Sequence, residues 1–167
     1  MNTKSLFTFG VVALLAATGS VASAQETKEN KEATSAKPKP TQEELEAKFK
    51  ATLTKATLSG RWCGIKDGKL TPEKEDKYTI VSVTKLAGET WIINARIQYG
   101  DKDFVAPIPV QVKWAGDTPV ITLDNVGIPG GNSYSARVVI YNKTYAGTWS
   151  SGDHAGLLNG LISNEKD

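Results

Sequence analysis

From Thr57 onward the chain alternates between apolar and polar positions. Trp91, Ile93, Ala95, Ile97 and Tyr99 share one face, and Thr90, Ile92, Asn94, Arg96 and Gln98 share the other. A period of two marks a strand with one buried face. Phe104, Ala106, Ile108, Val110, Val112 and Trp114 repeat the pattern, with Val105, Pro107, Pro109, Gln111 and Lys113 opposite. Pro107 and Pro109 have no N–H for a ladder, so this strand is expected to begin at an edge, a bend or a bulge. Tyr134, Ala136, Val138 and Ile140 alternate with Ser135, Arg137, Val139 and Tyr141. Shorter strands are expected at Leu58–Cys63, Tyr78–Thr84, Pro119–Leu123, Thr144–Ser150 and Gly156–Ser163.

Turn signals separate these runs: Ala87-Gly88, Gly100-Asp101, Gly116-Asp117, Pro129-Gly130-Gly131, Asn142-Lys143 and Gly152-Asp153. The count of about eight short strands implies an antiparallel meander. Such a sheet hides its edges by closing or by stacking. The expected fold is all-β: an antiparallel up-and-down β-barrel of about eight strands, preceded by one N-terminal α-helix. A two-sheet β-sandwich uses the same strand pattern and is the alternative.

Thr41 to Ala56 has a different period. Leu45, Phe49 and Leu53 recur every fourth residue as one apolar stripe. Thr41 and Glu44 fit a capping box, in which each side chain satisfies a free N–H at the helix start. Glu44–Lys48 and Glu46–Lys50 add i,i+4 ion pairs. A narrow stripe of this kind docks on its own domain, pairs with another helix or touches a membrane surface; docking is the expected role. An envelope protein is the partner to which the Leu45/Phe49/Leu53 stripe would otherwise be offered.

The N-terminus has the three-part layout of a secretory signal peptide. Lys4 supplies the positive start, Leu6 to Ala17 the apolar run, and Ala22-Ser23-Ala24 the small-x-small cleavage site. The apolar run is short for a membrane span, which takes about 20 residues. The expectation is cleavage after Ala24, a mature chain without a transmembrane segment, and a secreted or periplasmic location. Gln25 to Pro40 lacks aromatic and large aliphatic residues and reads as a disordered linker. The organisation is therefore 1–24 signal peptide, 25–40 linker, 41–56 helix and 57–167 β-domain.

Composition narrows the function. The chain holds 20 basic and 18 acidic residues. That balance argues against a nucleic-acid partner, which requires a basic face or stripe. Cys63 is the only cysteine, so no internal disulfide forms and stability rests on packing. Its plain reading is a small buried residue beside Trp62. His154 is the only histidine. Asp153 adjoins it and Ser150 and Ser151 are near, but residues so close along a hairpin point apart. A metal site requires several ligands, and no spacing here supplies them. Asp67, Asp101, Asp103, Asp117, Asp124 and Asp153 fall in or near turns, where Asp side chains bond their own backbone. No cofactor is expected. Asn142-Lys143-Thr144 matches a glycosylation sequon and is read as a chance match in a hairpin turn.

Leu58-Ser59-Gly60-Arg61-Trp62 opens the first strand just after the helix. This resembles the Gly-x-Trp entry of the calycin superfamily, which includes lipocalins and avidins. The resemblance implies an eight-stranded up-and-down barrel that binds a small, mostly apolar molecule at one open end. Lipocalins often place a basic residue on the last strand over the Trp; Gly156–Ser163 carries none. Avidins ring their ligand with Ser, Asn, Asp and Trp, and no such row aligns here.

Under the calycin reading the aromatic residues form the ligand cup. Trp149 belongs to the same set of rings on apolar faces, and the candidates chosen from it are Trp62, Trp91, Tyr99, Trp114 and Tyr134, with a small apolar or aromatic molecule as partner. Plain core filling is the competing reading of the same rings. Arg96 and Arg137 lie on the opposite faces: outside and structural if the interior is packed, anion contacts if it is polar. Val126 to Asn132 is long enough for a lid, although an ordinary connection is expected. The function implied is an exported, non-enzymatic small-molecule-binding or carrier domain. The alternatives are a filled-core interaction domain of the cell envelope, and a hydrolase using turn acids or His154.

Overall fold

The computed structural model describes residues 38–128 and 132–164. The expected signal peptide, its cleavage site and most of the linker lie outside the described residues. So does the centre of the Val126–Asn132 segment.

One helix, α1 (Gln42–Leu53), precedes the strands. They are β1 (Ala56–Lys66), β2 (Lys69–Leu70), β3 (Lys74–Ala87), β4 (Thr90–Tyr99) and β5 (Lys102–Ala115), followed by β6 (Thr118–Gly127), β7 (Ser133–Tyr141), β8 (Thr144–Ser151) and β9 (His154–Asn164). Neighbours in sequence pair antiparallel from β3 to β9, and β1 pairs with β3. Closure comes from β1 against β9, in register from Ala56 opposite Asn164 to Gly64 opposite Gly156. This ladder makes an eight-stranded barrel and rules out the sandwich. The two-residue β2 folds back on the end of β1, with Ile65 opposite Leu70, and is an addition to the expected strands.

The helix starts as its sequence dictates. The Thr41 hydroxyl accepts from the Glu44 N–H at 3.3 Å, and the Glu44 carboxylate accepts from the Thr41 N–H at 2.7 Å. It ends three residues before the expected Ala56. Thr54 turns extended, Lys55 takes φ 59°, and Ala56 already pairs with Asn164 in the sheet. The β-ladder thus outcompetes the last helical turn. Leu45, Phe49 and Leu53 are all buried. Phe49 meets Trp91 edge-on at 5.2 Å and Trp114 at 6.4 Å. Lys85 of β3 holds Glu46 of the helix by an ion pair at 2.5 Å. The stripe plugs one end of the barrel, so its apolar face is taken by the chain's own fold and is not free for an envelope partner.

The two prolines mark an edge, as the sequence implies. β5 pairs with β6 only from Gln111 opposite Thr122 to Ala115 opposite Thr118. Lys102–Val110 pairs with β4 alone among the described residues. The Val112 N–H donates toward the β4 side, to the Glu89 carbonyl at 2.9 Å. Alternation then aims positions 109 and 107 at β6. Proline at both removes the donors a longer β5–β6 ladder requires. β6 turns aside at the same level through a bulge between Leu123 and Val126, with Asn125 at φ 52°.

The alternating faces behave as expected. Trp91, Ile93, Ala95 and Ile97 are buried inside, while Arg96 and Arg137 stand outside. Arg96 pairs with Asp103 at 2.6 Å and Arg137 with Asp124 at 2.6 Å, both on the outer surface. Cys63 is free and buried.

Candidate functional site

The barrel interior is a cavity of about 1060 Å³. That volume lies at the upper end of the usual range for small-molecule sites, about 300–1,000 Å³. The lower wall is aliphatic: Leu58, Ile80, Ile93, Val110, Ile121 and Ile140 are among its lining residues. The inward positions of neighbouring strands supply it, because every second residue of each strand faces the interior. The helix-plugged end is closed by Phe49, Trp91 and Trp114. The opposite end is rimmed by Lys66, Asp67, Asn132, Ser151, Asp153 and His154.

Aromatic rings form the upper wall. Trp62 of β1 meets Trp149 of β8 edge-on at 5.6 Å and Tyr99 of β4 at 6.3 Å. Tyr99 and Tyr134 share a hydroxyl–hydroxyl hydrogen bond of 3.0 Å, linking β4 to β7. Burial, reinforced by that bond, pushes the Tyr99 phenol up to about 12, so it stays protonated at any physiological pH. Trp149 and Tyr145 of β8 find room because their facing neighbours on β9 are glycines. A Cβ at Gly156 would lie 2.6 Å from Trp149 Nε1, and one at Gly160 would lie 2.6 Å from Tyr145 Cε1. Trp149 and Tyr145 therefore lie flat over β9.

A buried carboxylate organises the middle of the barrel. Asp76 of β3 is 5 % exposed. The Tyr145 hydroxyl donates to one of its oxygens at 2.8 Å and the Tyr78 hydroxyl to the other at 3.1 Å. Burial raises the Asp76 pKa, and the two hydroxyls partly offset that rise. Tyr78 and Tyr145 are both raised, by burial first and then by the charge of Asp76. Tyr78 and Tyr145 line the cavity, and Asp76 stands behind them.

Of the residues expected to form the cup, Trp62, Tyr99 and Tyr134 come together on the cavity wall. Trp91 and Trp114 face inward too, but at the helix-plugged end, packed on Phe49 and outside the lining. Alternation tells which face a ring takes and nothing about its height in the barrel. Trp149, one of the aromatic residues on the apolar faces, joins Trp62, Tyr99 and Tyr134 on the wall, and Tyr78, Tyr145 and Asp76 lie outside the expected cup. Trp149 and Tyr145 share one face of a run with Gly147 between them, a small–large pattern that signals close ring packing in a barrel.

The groups considered for chemistry do not converge. The His154 ring lies 3.5 Å from the carboxylate of its neighbour Asp153, and both side chains are largely exposed. Among the described residues, no three His, Cys, Asp or Glu side chains gather as metal ligands. No helix among them is long and apolar enough to cross a membrane. Arg96 and Arg137, paired outside, do not reach the cavity as anion contacts. No protein-family model matches this chain, and neither the curated proteins nor the solved structures give a match.

Proposed function

We propose that this chain is an exported, non-enzymatic binding or carrier domain that holds a small apolar molecule inside its barrel. The observation that carries the reading is the aliphatic cavity of about 1060 Å³, closed by α1 at one end and bordered by polar residues at the other. A filled-core interaction domain would have its interior occupied by side chains at close-packed density. The cup in this reading is Trp62, Tyr99 and Tyr134 with Trp149 added, above an aliphatic chamber. Export is the contribution of the N-terminal pattern of Lys4, Leu6 to Ala17 and Ala22-Ser23-Ala24.

Apolar burial is the driving force. Each Å² of apolar ligand surface removed from water contributes about 25 cal/mol. The test is native mass spectrometry of the protein purified from its natural source. A reproducible added mass that leaves on denaturation supports the carrier reading. A bare chain that also fails to bind added apolar molecules overturns it.

A further inference from the structure

We infer that the ligand enters and leaves the chamber sideways, through an unladdered slit between β5 and β6, and that the polar mouth is not its main route. This rests on the carrier reading above and gives that chamber its path of exchange.

The wall is fastened unevenly on the two sides of β5. Ten residue pairs join it to β4, from Thr90 opposite Gln111 to Tyr99 opposite Lys102. Five join it to β6, from Gln111 opposite Thr122 to Ala115 opposite Thr118. These five lie toward the helix-plugged end, where Trp114 packs on Phe49. The Thr122 hydroxyl donates to the Gln111 carbonyl at 3.2 Å and marks the last rung. From Val110 back to Lys102 the strand has no partner on its β6 side among the described residues.

Both strands contribute to this separation. Pro107 and Pro109 stand at β6-facing positions of β5 and bring no N–H. On the other side the bulge between Leu123 and Val126 turns β6 away. Widening the slit therefore breaks no ladder hydrogen bond. Parting a laddered pair of strands would strand backbone donors and acceptors that must otherwise be satisfied.

An apolar path crosses the wall at this place. Inside, Ile108 of β5 and Leu123 of β6 flank the slit and line the chamber. Outside, Val105, Pro107 and Pro109 are exposed along the β5 lip, Val105 to 63 %. An apolar molecule passing from that lip to Ile108 stays against apolar surface. The mouth presents Lys66, Asp67, Asp153 and His154 instead. Charged groups give up their water at a high cost, so that rim does not favour an apolar molecule in transit.

The test is stopped-flow exchange of a neutral fluorescent probe, N-phenyl-1-naphthylamine, on protein carrying one bulky label. Val105→Cys places a maleimide-linked polyethylene glycol on the slit. His154→Cys places the same label on the mouth, at the start of β9, which lies four strands from β5 in either direction around the barrel. The native Cys63 is buried, and mass spectrometry confirms a single addition. Each labelled protein is compared with its own unlabelled form. The label at 105 should slow association and dissociation alike, by about tenfold, with Kd kept, because it obstructs the path and not the chamber. The label at 154 should change neither rate to that extent. Slowing at 154 alone, equal slowing at both, or slowing at neither overturns the lateral route and leaves the carrier reading standing. Failure of the unlabelled protein to bind the probe or any other apolar molecule overturns both.

Discussion

The hydroxyl of Tyr145 donates to the carboxylate of Asp76 across 2.8 Å, joining β8 to β3 through the interior of the barrel. The two strands are not sheet neighbours; β9 and β1 lie between them. Glycine at 60 and 160, on those intervening strands, leaves the space the Tyr145 ring crosses. The bond therefore ties β8 to β3 along one wall of the chamber, across β9 and β1.

Removing that hydroxyl should be costly. Tyr145→Phe keeps the ring and leaves one oxygen of a buried carboxylate without its donor. A hydrogen bond to a charged group is worth about 1.5–3 kcal/mol. Urea unfolding should show a loss in that range with an unchanged m-value.

Asp76 gives the fold a pH dependence of defined sign. Its folded pKa is raised above the ordinary 3.8 by burial. Between the unfolded and folded values the native chain holds the proton more tightly, so this group's stabilisation is present below pH 3.8 and is lost as pH rises through the folded value. Other carboxylates, Glu46 and Asp103, are shifted down by Lys85 and Arg96 and act in the opposite sense. The difference between wild type and Asp76→Asn isolates the effect. Wild-type stability relative to the variant should decline as pH rises from acid toward neutral, read by thermal unfolding at several pH values.

The α1 plug should be integral to stability. Phe49 is 2 % exposed and packs edge-on against Trp91. Phe49→Ala should cost about 3–5 kcal/mol, the range for truncating a buried aromatic. Trp91 and Trp114 fluorescence should shift to the red at the same time, as the end of the barrel opens to water.

The proline edge makes a residue-level prediction for hydrogen exchange. Along β5 the N–H groups of Ala106, Ile108 and Val110 face β4, and that of Val105 faces the unpaired side. Val105 should exchange rapidly while its three neighbours are protected. Protection at Val105 equal to theirs would mean that the β5–β6 ladder extends past Gln111.

Much of this fold was legible because alternation is a direct projection of a half-buried strand. The inward set from Trp91 to Tyr99, the outward Arg96 and Arg137, the capping box of Thr41 and Glu44, and the edge at Pro107 and Pro109 all follow from local rules. The failures share a cause. Periodicity assigns a face and is silent on depth, so Trp91 and Trp114 could not be separated from Trp62 before the helix was seen to close their end. Asp76 sits in the charged run Glu73-Lys74-Glu75-Asp76-Lys77, where nothing local distinguishes the one buried carboxylate from solvated neighbours. Its partners Tyr78 and Tyr145 lie 2 and 69 positions away, and only barrel closure brings all three together.

The most direct test of the central claim is to fill the chamber. Ala136 faces inward from β7, between Leu123 of β6 and Trp149 of β8, and lines the cavity. Ala136→Trp projects a large ring into the space while the strand pairing stays as it is. Calorimetric titration of decanol into wild type should give saturable binding of one molecule per chain with a negative heat-capacity change, and the folded variant should bind at least about tenfold more weakly. Undiminished binding by the variant, or no saturable binding by wild type, would contradict a ligand chamber inside the barrel.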